Sequence, residues 1–180
     1  VAMTDEFTLK TLFPFFASFI HDLGFDPVFY YGADQSVLKR GIEEANVPFC
    51  APMQQYHGLV SIMAENEPDY LFLPMLRNIQ RVGDESIARL CPIVQGSADM
   101  LKWDVLLKPK TKIISPVINF GKENFKSKLF KDSCRSLAFE LGVPTGQWEK
   151  AFEKAVSVQQ EFDNKCLELG KRALDFCFEN

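Results

Sequence analysis

The stretch Pro68-Asp69-Tyr70-Leu71-Phe72-Leu73-Pro74 decides the fold class of this chain of 180 residues. It is a short apolar run bracketed by prolines, which is the pattern of a strand buried on both faces. A strand of this kind belongs to a parallel sheet whose two faces are covered by helices. Helical and extended segments should therefore alternate on either side of it.

The residues before this strand show that alternation. Apolar residues recur at helical spacing from Leu12 to Leu23, and the β-prone run Pro27–Tyr31 follows. Asp34 then caps a short helix, and a longer helix is predicted from Pro52 to Glu65, interrupted only at His57-Gly58. The amino-terminal part thus reads as helix, strand and two further helices.

The residues after the strand continue the pattern. Arg77–Arg89 is polar and irregular, which predicts a loop or lid, and Cys91-Pro92 opens a helix to about Leu101. Lys112–Ile118 is a strand candidate, and two amphipathic helices are predicted within 122–141 and 146–178. The whole pattern predicts an α/β protein with a Rossmann-like parallel sheet flanked by helices and a helical C-terminal portion.

The predicted elements divide the chain into two parts. We assign residues 1–120 to a Rossmann-like lobe that carries the candidate site, and residues 121–180 to a helical portion. A second interpretation of 121–180 is the start of another lobe. The opening Val1-Ala2-Met3 is typical of the interior of a sequence, so we expect a domain from a longer chain.

The composition excludes several classes of function. A net charge of −4 and a pI near 5.3 argue against a nucleic-acid-binding protein, which normally has a basic face. No apolar run approaches the roughly 18 residues that a membrane span needs, and we find no signal peptide. The sequence has no phosphate-binding glycine motif and no serine-hydrolase motif. We expect a cytoplasmic protein that binds neither nucleic acid nor membrane.

Five cysteines are present, and none lies in a Cys-x-x-Cys pair. An odd number without a secretion signal fits free or metal-bound thiols better than disulfides. Cys50 and Cys91 each precede a helix that a proline opens, where backbone N–H groups and the helix dipole favour the thiolate. Each also follows a predicted strand, near the edge of the sheet where ligands bind. We therefore predict a metal or iron–sulfur site; the alternative is two small buried apolar residues.

Other residues have two interpretations each. His57, seven residues after Cys50, is a hydrogen-bond donor behind a ligand, a general acid or base, or an extra ligand. It could equally mark a helix bend or a close helix–strand contact. Gln54 and Gln95 would hydrogen-bond sulfur or substrate, or are ordinary residues of a first helical turn. We expect the other cysteines, at 134, 166 and 177, to pack in the core and His21 to be exposed without a functional role. The phenylalanines should fill the core.

Several motifs occur in a fixed order: Phe13-Pro14-Phe15-Phe16, Asp22-Leu23-Gly24-Phe25, Pro48-Phe49-Cys50-Ala51-Pro52, His57-Gly58, the Asp69–Pro74 strand and Cys91-Pro92-Ile93-Val94-Gln95-Gly96. This series resembles the acyl-CoA dehydratase activase-related domain family. That family is similar to the iron–sulfur subunits of 2-hydroxyacyl-CoA dehydratases and to double-cubane-cluster proteins. The likeness covers roughly residues 10 to 120.

The resemblance implies Rossmann-like lobes and a 4Fe–4S cluster held by cysteine thiolates. In the dehydratase relatives three cysteines hold the cluster, and Cys50 and Cys91 match the first two. The third comes from a later lobe, and Cys134 is the nearest candidate here. Either the third ligand lies outside this sequence, or the site is incomplete and the cluster absent. Val1–Asp5 departs from the family's first strand, so we expect that strand and its loop to be altered.

The resemblance also implies a function. The leading interpretation is a partial 4Fe–4S-binding domain linked to ATP-driven, low-potential electron transfer toward acyl-CoA dehydratase chemistry. An ATP-hydrolysing activase module, in the same chain or separate, would be its partner, and an acyl-CoA the substrate. We do not expect these residues to be catalytic alone. The rival interpretation is a metal-free regulatory or protein-interaction domain, and a third is a structural zinc module.

Overall fold

The fold is built on a parallel sheet. A computed structural model describes residues 1–83, 85–86, 88–105 and 110–179. The strands are β1 (Ala2–Thr4), β2 (Val28–Tyr30), β3 (Tyr70–Phe72), β4 (Met75–Leu76), β5 (Lys112–Ile114) and β6 (Val117–Ile118). Four of them form one parallel sheet in the order β2-β1-β3-β5, and β4 pairs with β6 in a second, two-stranded parallel sheet. The predicted fold class is confirmed.

Helices fill most of the connections between the strands. They are α1 (Phe13–Asp22), α2 (Gln35–Glu44), α3 (Ala51–Glu65), α4 (Pro92–Gln95), α5 (Ser97–Asp104), α6 (Lys128–Glu140) and α7 (Trp148–Glu179), with a short 3-10 turn at Phe7–Leu9. The predicted helices from Leu12 to Leu23 and after Asp34 are confirmed. Asp34 caps α2, because its carboxylate accepts the backbone N–H groups of Ser36 and Val37.

The first strand, β1, is intact, contrary to our expectation. Val1–Asp5 does not disrupt the sheet: β1 lies between β2 and β3, with Ala2 beside both Val28 and Leu71. All three residues of β1 are fully buried. Our expectation of an altered strand was wrong because a central parallel strand needs apolar or hydrogen-bonded side chains rather than a particular motif. The hydroxyl of Thr4, for example, accepts the backbone N–H of Glu6.

Proline and glycine divide two segments that the sequence predicts as continuous. The strand predicted over Lys112–Ile118 is split into β5 and β6 around Pro116, which has no N–H to donate. Pro74 divides β3 from β4 at the matching place, and the two strand pairs continue each other: Leu73 N–H bonds Ile114 O and Met75 N–H bonds Pro116 O. The helix predicted from Cys91 breaks at Gly96 into α4 and α5.

Each face of the sheet has its own apolar layer. Met3 and Phe72 point to a layer that includes α1, α6 and α7, and Ala2 and Leu71 point to one that includes α3 and α5. This alternation is the period of two residues expected along a strand. Phenylalanines dominate the first layer, as predicted: they lie at 15, 16, 19, 72, 120, 125, 130 and 152. The helical C-terminal portion therefore shares a core with the sheet.

Helix α3 runs without interruption through His57-Gly58, so the predicted break there was wrong. Gly58 instead allows α2 and α3 to touch. A β-carbon at Gly58 would lie 2.1 Å from the carbonyl oxygen of Val37, and one at Gly41 would lie 1.7 Å from that of Gln54. The glycines are therefore required by a backbone-to-backbone helix contact, which differs from the helix–strand contact considered above.

Helix α7 runs antiparallel to α1 and extends beyond it. The buried amide of Gln159 accepts the N–H of Phe15 and donates to the carbonyl oxygen of Thr11, while Lys154 pairs with Asp22 at the other end of α1. Beyond Gln159 almost every side chain of α7 is exposed. Cys134 is buried in the core, as predicted, but the same prediction was wrong for Cys166 and Cys177 because α7 carries both into solvent.

The segment predicted as a loop or lid is irregular along its described residues. Asn78 and Arg89 form an isolated antiparallel bridge that brings its ends together. Asp84 and Ile87 lie outside the described residues. The described residues of the segment therefore leave β4 and return to the start of α4.

Candidate functional site

Cys50 and Cys91 occupy matching backbone positions. Each is the residue before the first turn of its helix, with φ −64° and ψ 152° for Cys50 and φ −65° and ψ 156° for Cys91. Proline stands within the first two helical positions in both cases. Both thiols are exposed, free of disulfides and make no capping hydrogen bond. The alternative that these are buried apolar residues is therefore wrong.

The sheet topology places both cysteines at the carboxyl ends of strands. Near the start of α3, Tyr56 stacks on Phe7, which follows β1, with ring centroids 4.9 Å apart. Gln55 donates to the carbonyl oxygen of Ala33, which follows β2. On the other side, Leu90 N–H, directly before Cys91, bonds the carbonyl oxygen of Arg77 just after β4. Ligands of doubly wound α/β proteins bind along this edge.

The two helix starts differ in electrostatic strength. Helix α3 has 15 residues, so its first-turn N–H groups carry the partial positive charge of a full helix dipole toward Cys50. Helix α4 has only four residues, and its dipole at Cys91 is correspondingly small. The backbone before Cys91 is fixed by Gln95, whose side-chain amide donates to the carbonyl oxygen of Leu90 at 2.7 Å. That bond gives the glutamine a positioning role which the sequence left open.

His57 lies in the interior, beside an aspartate rather than a thiol. It is fully buried, and its Nε2 lies 3.3 Å from Oδ2 of Asp104, a largely buried carboxylate at the end of α5. Asp104 also accepts the side-chain amide of Asn46, in the segment that leads to Cys50. The other ring nitrogen, Nδ1, is buried and has no hydrogen-bond partner among the described residues. Through Asp104, His57 thus links α3 to α5 and to the segment that precedes Cys50.

Sequence reasoning missed Asp104 and Asn46. They stand 47 residues after and 11 residues before His57, so no local spacing indicates that the three meet (104 − 57 and 57 − 46). Only the packing of α5 against α3 brings them together. The only hint in the sequence is that a buried histidine requires a polar partner.

A cation-rich cleft lies beside the helix that Cys91 begins. Its volume is about 330 Å³, and it is lined by Arg77, Asn78, Arg89, Gln95 and Asn119. In the part of the chain that the structure describes, neither arginine forms an ion pair. Asn78 donates to the side-chain oxygen of Asn119 at 2.6 Å, which joins two of the side chains that line the cleft. The cleft therefore presents positive charge near Cys91. In the sequence, only the two arginines at the ends of the loop indicate it.

The described residues supply thiols of the right kind for a metal cluster, but an incomplete set. Over 1–83, 85–86, 88–105 and 110–179 no group of three His, Cys, Asp or Glu residues is arranged to hold a metal ion. Cys134 does not serve as a third ligand, since it is packed in the core, where burial raises the pKa of its thiol well above the ordinary value. A cluster at Cys50 and Cys91 would need further ligands from elsewhere.

Comparison with known proteins identifies the family. No helix of the described residues is long and apolar enough to cross a membrane. No curated protein and no solved structure matches the chain. The family described as CoA enzyme activase uncharacterised domain (DUF2229) matches residues 1–180. With its parallel sheet and its two exposed cysteines at helix starts, the chain belongs to this activase-related family, as the motif order in the sequence predicts.

Proposed function

We propose that this domain contributes Cys50 and Cys91 as ligands to a 4Fe–4S cluster in an activase-related protein. The observation that supports the proposal best is the pair of free, exposed cysteines at matching helix starts, both on the carboxyl side of the sheet. When bound, such a cluster would accept and pass on low-potential electrons toward acyl-CoA dehydratase chemistry. An ATP-hydrolysing activase module and a dehydratase-type protein would be the partners.

The residues near the two cysteines would bind and stabilise negative charge. Thiolates are the usual ligands of iron–sulfur clusters, and N–H groups at the start of α3 favour the thiolate of Cys50. Arg77 and Arg89 would offset negative charge on the side of Cys91. Asp104 would fix the segment before Cys50 through its hydrogen bond from Asn46. The remaining ligands would come from a partner or from chain beyond the described residues.

Anaerobic reconstitution with iron and sulfide tests this proposal. Cys50→Ser and Cys91→Ser should each lose most of the bound iron and the visible absorbance of the cluster, because each removes one of two thiolates. Cys177→Ser is the matched control: this thiol is also exposed, but it lies on the outer part of α7. Equal iron retention in the three variants would contradict the assignment.

A metal-free interaction domain is the second candidate function. The observation that favours it is the lack of any three-residue metal-binding group among the described residues. Unmodified protein that stays colourless and iron-free after reconstitution, alone and with its activase partner, would support it. Stoichiometric zinc without iron would instead support the structural zinc module.

A further inference from the structure

The cation-rich cleft beside α4 is formed by two chain segments that the backbone holds in register. Asn78 and Arg89 form an isolated antiparallel bridge, and on one side of it Leu90 N–H bonds the carbonyl oxygen of Arg77. A second backbone hydrogen bond closes the other side of the bridge. Residues opposite each other between two such bonds have α-carbons about 4.5 Å apart and closely spaced side chains. The backbone thus brings both arginines to the same cleft.

A series of hydrogen bonds fixes the direction of two carboxamides in the cleft. The backbone N–H of Phe120 can only donate, so the atom of Asn78 that it meets is the side-chain oxygen. The amide nitrogen of Asn78 then donates to Asn119, which meets it with its own oxygen. The NH2 group of Asn119 is therefore left as a donor, with no partner among the described residues. Asn119 is only half-buried, so a ligand can reach it.

Gln95 is oriented in the same way. The carbonyl oxygen of Leu90 can only accept, so the NH2 group of Gln95 donates to it and the side-chain oxygen stays free. The cleft thus offers two guanidinium groups, one amide donor and one amide acceptor. Among the described residues no carboxylate lines it. A matching ligand carries about two negative charges, several acceptor oxygens and a hydroxyl.

We propose that the cation-rich cleft binds a phosphate group. At neutral pH a phosphate group carries nearly two negative charges and three acceptor oxygens, and the planar guanidinium group of arginine binds such oxygens through paired N–H groups. Two sources match: hydrogen phosphate, whose own hydroxyl donates to Gln95, and a phosphate monoester with a hydroxyl nearby. The volume of about 330 Å³ lies within the range of small-molecule sites, roughly 300–1,000 Å³. The site needs neither Cys91 nor a cluster, so it goes beyond the function proposed above.

Isothermal titration calorimetry with three anions at constant ionic strength tests the site on the unmodified chain. Inorganic phosphate and glycerol 3-phosphate should bind, and acetate should bind at least about tenfold more weakly, because it has less charge and fewer oxygens. Whichever phosphate compound binds more tightly identifies the source, and either order supports the site. Acetate that binds as tightly as phosphate, or no binding of phosphate, would overturn it and would leave the cluster proposal untouched.

Arg77→Gln and Arg89→Gln should each weaken phosphate binding by about tenfold, since each removes a charge-assisted hydrogen-bond donor. Both side chains are exposed, so the variants should fold normally. Arg172→Gln is the matched control, because it removes the same charge from an exposed position on the outer part of α7. It should leave phosphate binding unchanged. Equal weakening in all three variants would show an adventitious ion only, held by net charge, and would overturn the site.

Asn119→Asp tests the direction of the carboxamides. Its carboxylate still accepts the hydrogen bond from Asn78, but it replaces the free NH2 group with a charged oxygen. Phosphate binding should therefore fall further than in either arginine variant, and unchanged binding would overturn the site. Cys91→Ser separates this site from the cluster, because it should keep full phosphate binding even where it loses iron. Loss of phosphate binding in Cys91→Ser would overturn the proposal of an independent site.

Discussion

Asp22 concentrates the polar contacts between the first and last helices. Its carboxylate receives hydrogen bonds from Lys154 of α7 and from Ser18, and lies 3.3 Å from the ring nitrogen of His21. Burial alone would raise the pKa of Asp22, but Lys154, His21 and Ser18 together outweigh burial, and the pKa lies below its ordinary value. This residue makes the α1–α7 contact sensitive to acid.

Asp22→Asn tests that sensitivity. A carboxyl with a lowered pKa in the folded state stabilises the fold above its ordinary pKa of about 3.9, and this contribution is lost as the pH falls through the folded value. The variant should therefore be less stable than the unmodified protein at neutral pH, by up to about 1 kcal/mol, and nearly equal to it in acid. Urea unfolding across a pH series measures the difference.

Asp132→Asn provides the control, because Asp132 pairs, among the described residues, with Arg135 alone, on the exposed surface of α6. It should change stability little at any pH. An effect of Asp22→Asn that is the same at neutral and acid pH would show that the carboxylate charge is not responsible.

The sequence predicted the burial and role of some residues but not of others. Asp34 as a helix cap, Cys134 in the core and His21 at the surface follow from local pattern. The exposure of Cys50 and Cys91 does not, because an apolar stretch followed by proline precedes buried and exposed helix starts alike. The Asp104–His57 contact joins elements that are adjacent only after folding. Ligand assignment of Cys50, Cys91 and His57 remains a prediction.

The contact between α2 and α3 depends on two glycines. Gly41→Ala or Gly58→Ala should destabilise the protein by about 1–3 kcal/mol or more, since the added methyl group meets main-chain atoms that cannot rotate away. Gly170→Ala is the matched control in a helix, where a β-carbon would meet nothing within 4 Å. It should leave stability unchanged or raise it slightly. Thermal unfolding of the three variants distinguishes them, and equal melting temperatures would contradict the close contact.

At the scale of elements, hydrophobic period and capping residues predicted α1, α2, α3, α6 and α7 and the strands β2 and β3. The errors lie where one residue changes a segment. Pro116 splits the predicted third strand, and Gly96 splits the helix after Cys91. Helix α3 shows the opposite error, since Gly58 is a contact site and no break. A glycine in a sequence does not reveal whether it ends a helix or admits a neighbour.

The whole molecule has a core that crosses the predicted boundary at residue 120. Phe15 packs against Phe125, Phe130 and Phe152, all of which follow that boundary. A chain ending at residue 120 should therefore lack a cooperative unfolding transition. One ending at Glu161 should retain it, because the last buried residue of the described chain is Gln159.

Near-ultraviolet circular dichroism and urea unfolding compare the two shortened chains. Cooperative unfolding of the chain ending at residue 120 would show that the lobe predicted from the sequence folds alone. Alternation of strands and helices predicted the fold class and the parallel sheet. It could not predict that the C-terminal helices complete one apolar layer, because amphipathic helices reveal a buried face but not what covers it.

The central position of β1 affects the order of events during synthesis. Ala2 emerges from the ribosome 69 residues before Leu71, one of its two neighbours in the sheet (71 − 2). Until Leu71 emerges, the apolar residues of β1 have no complete sheet to join. Closing so long a loop makes folding slow relative to helix formation. Strand β1 is thus a segment to which a chaperone would have a long time to bind.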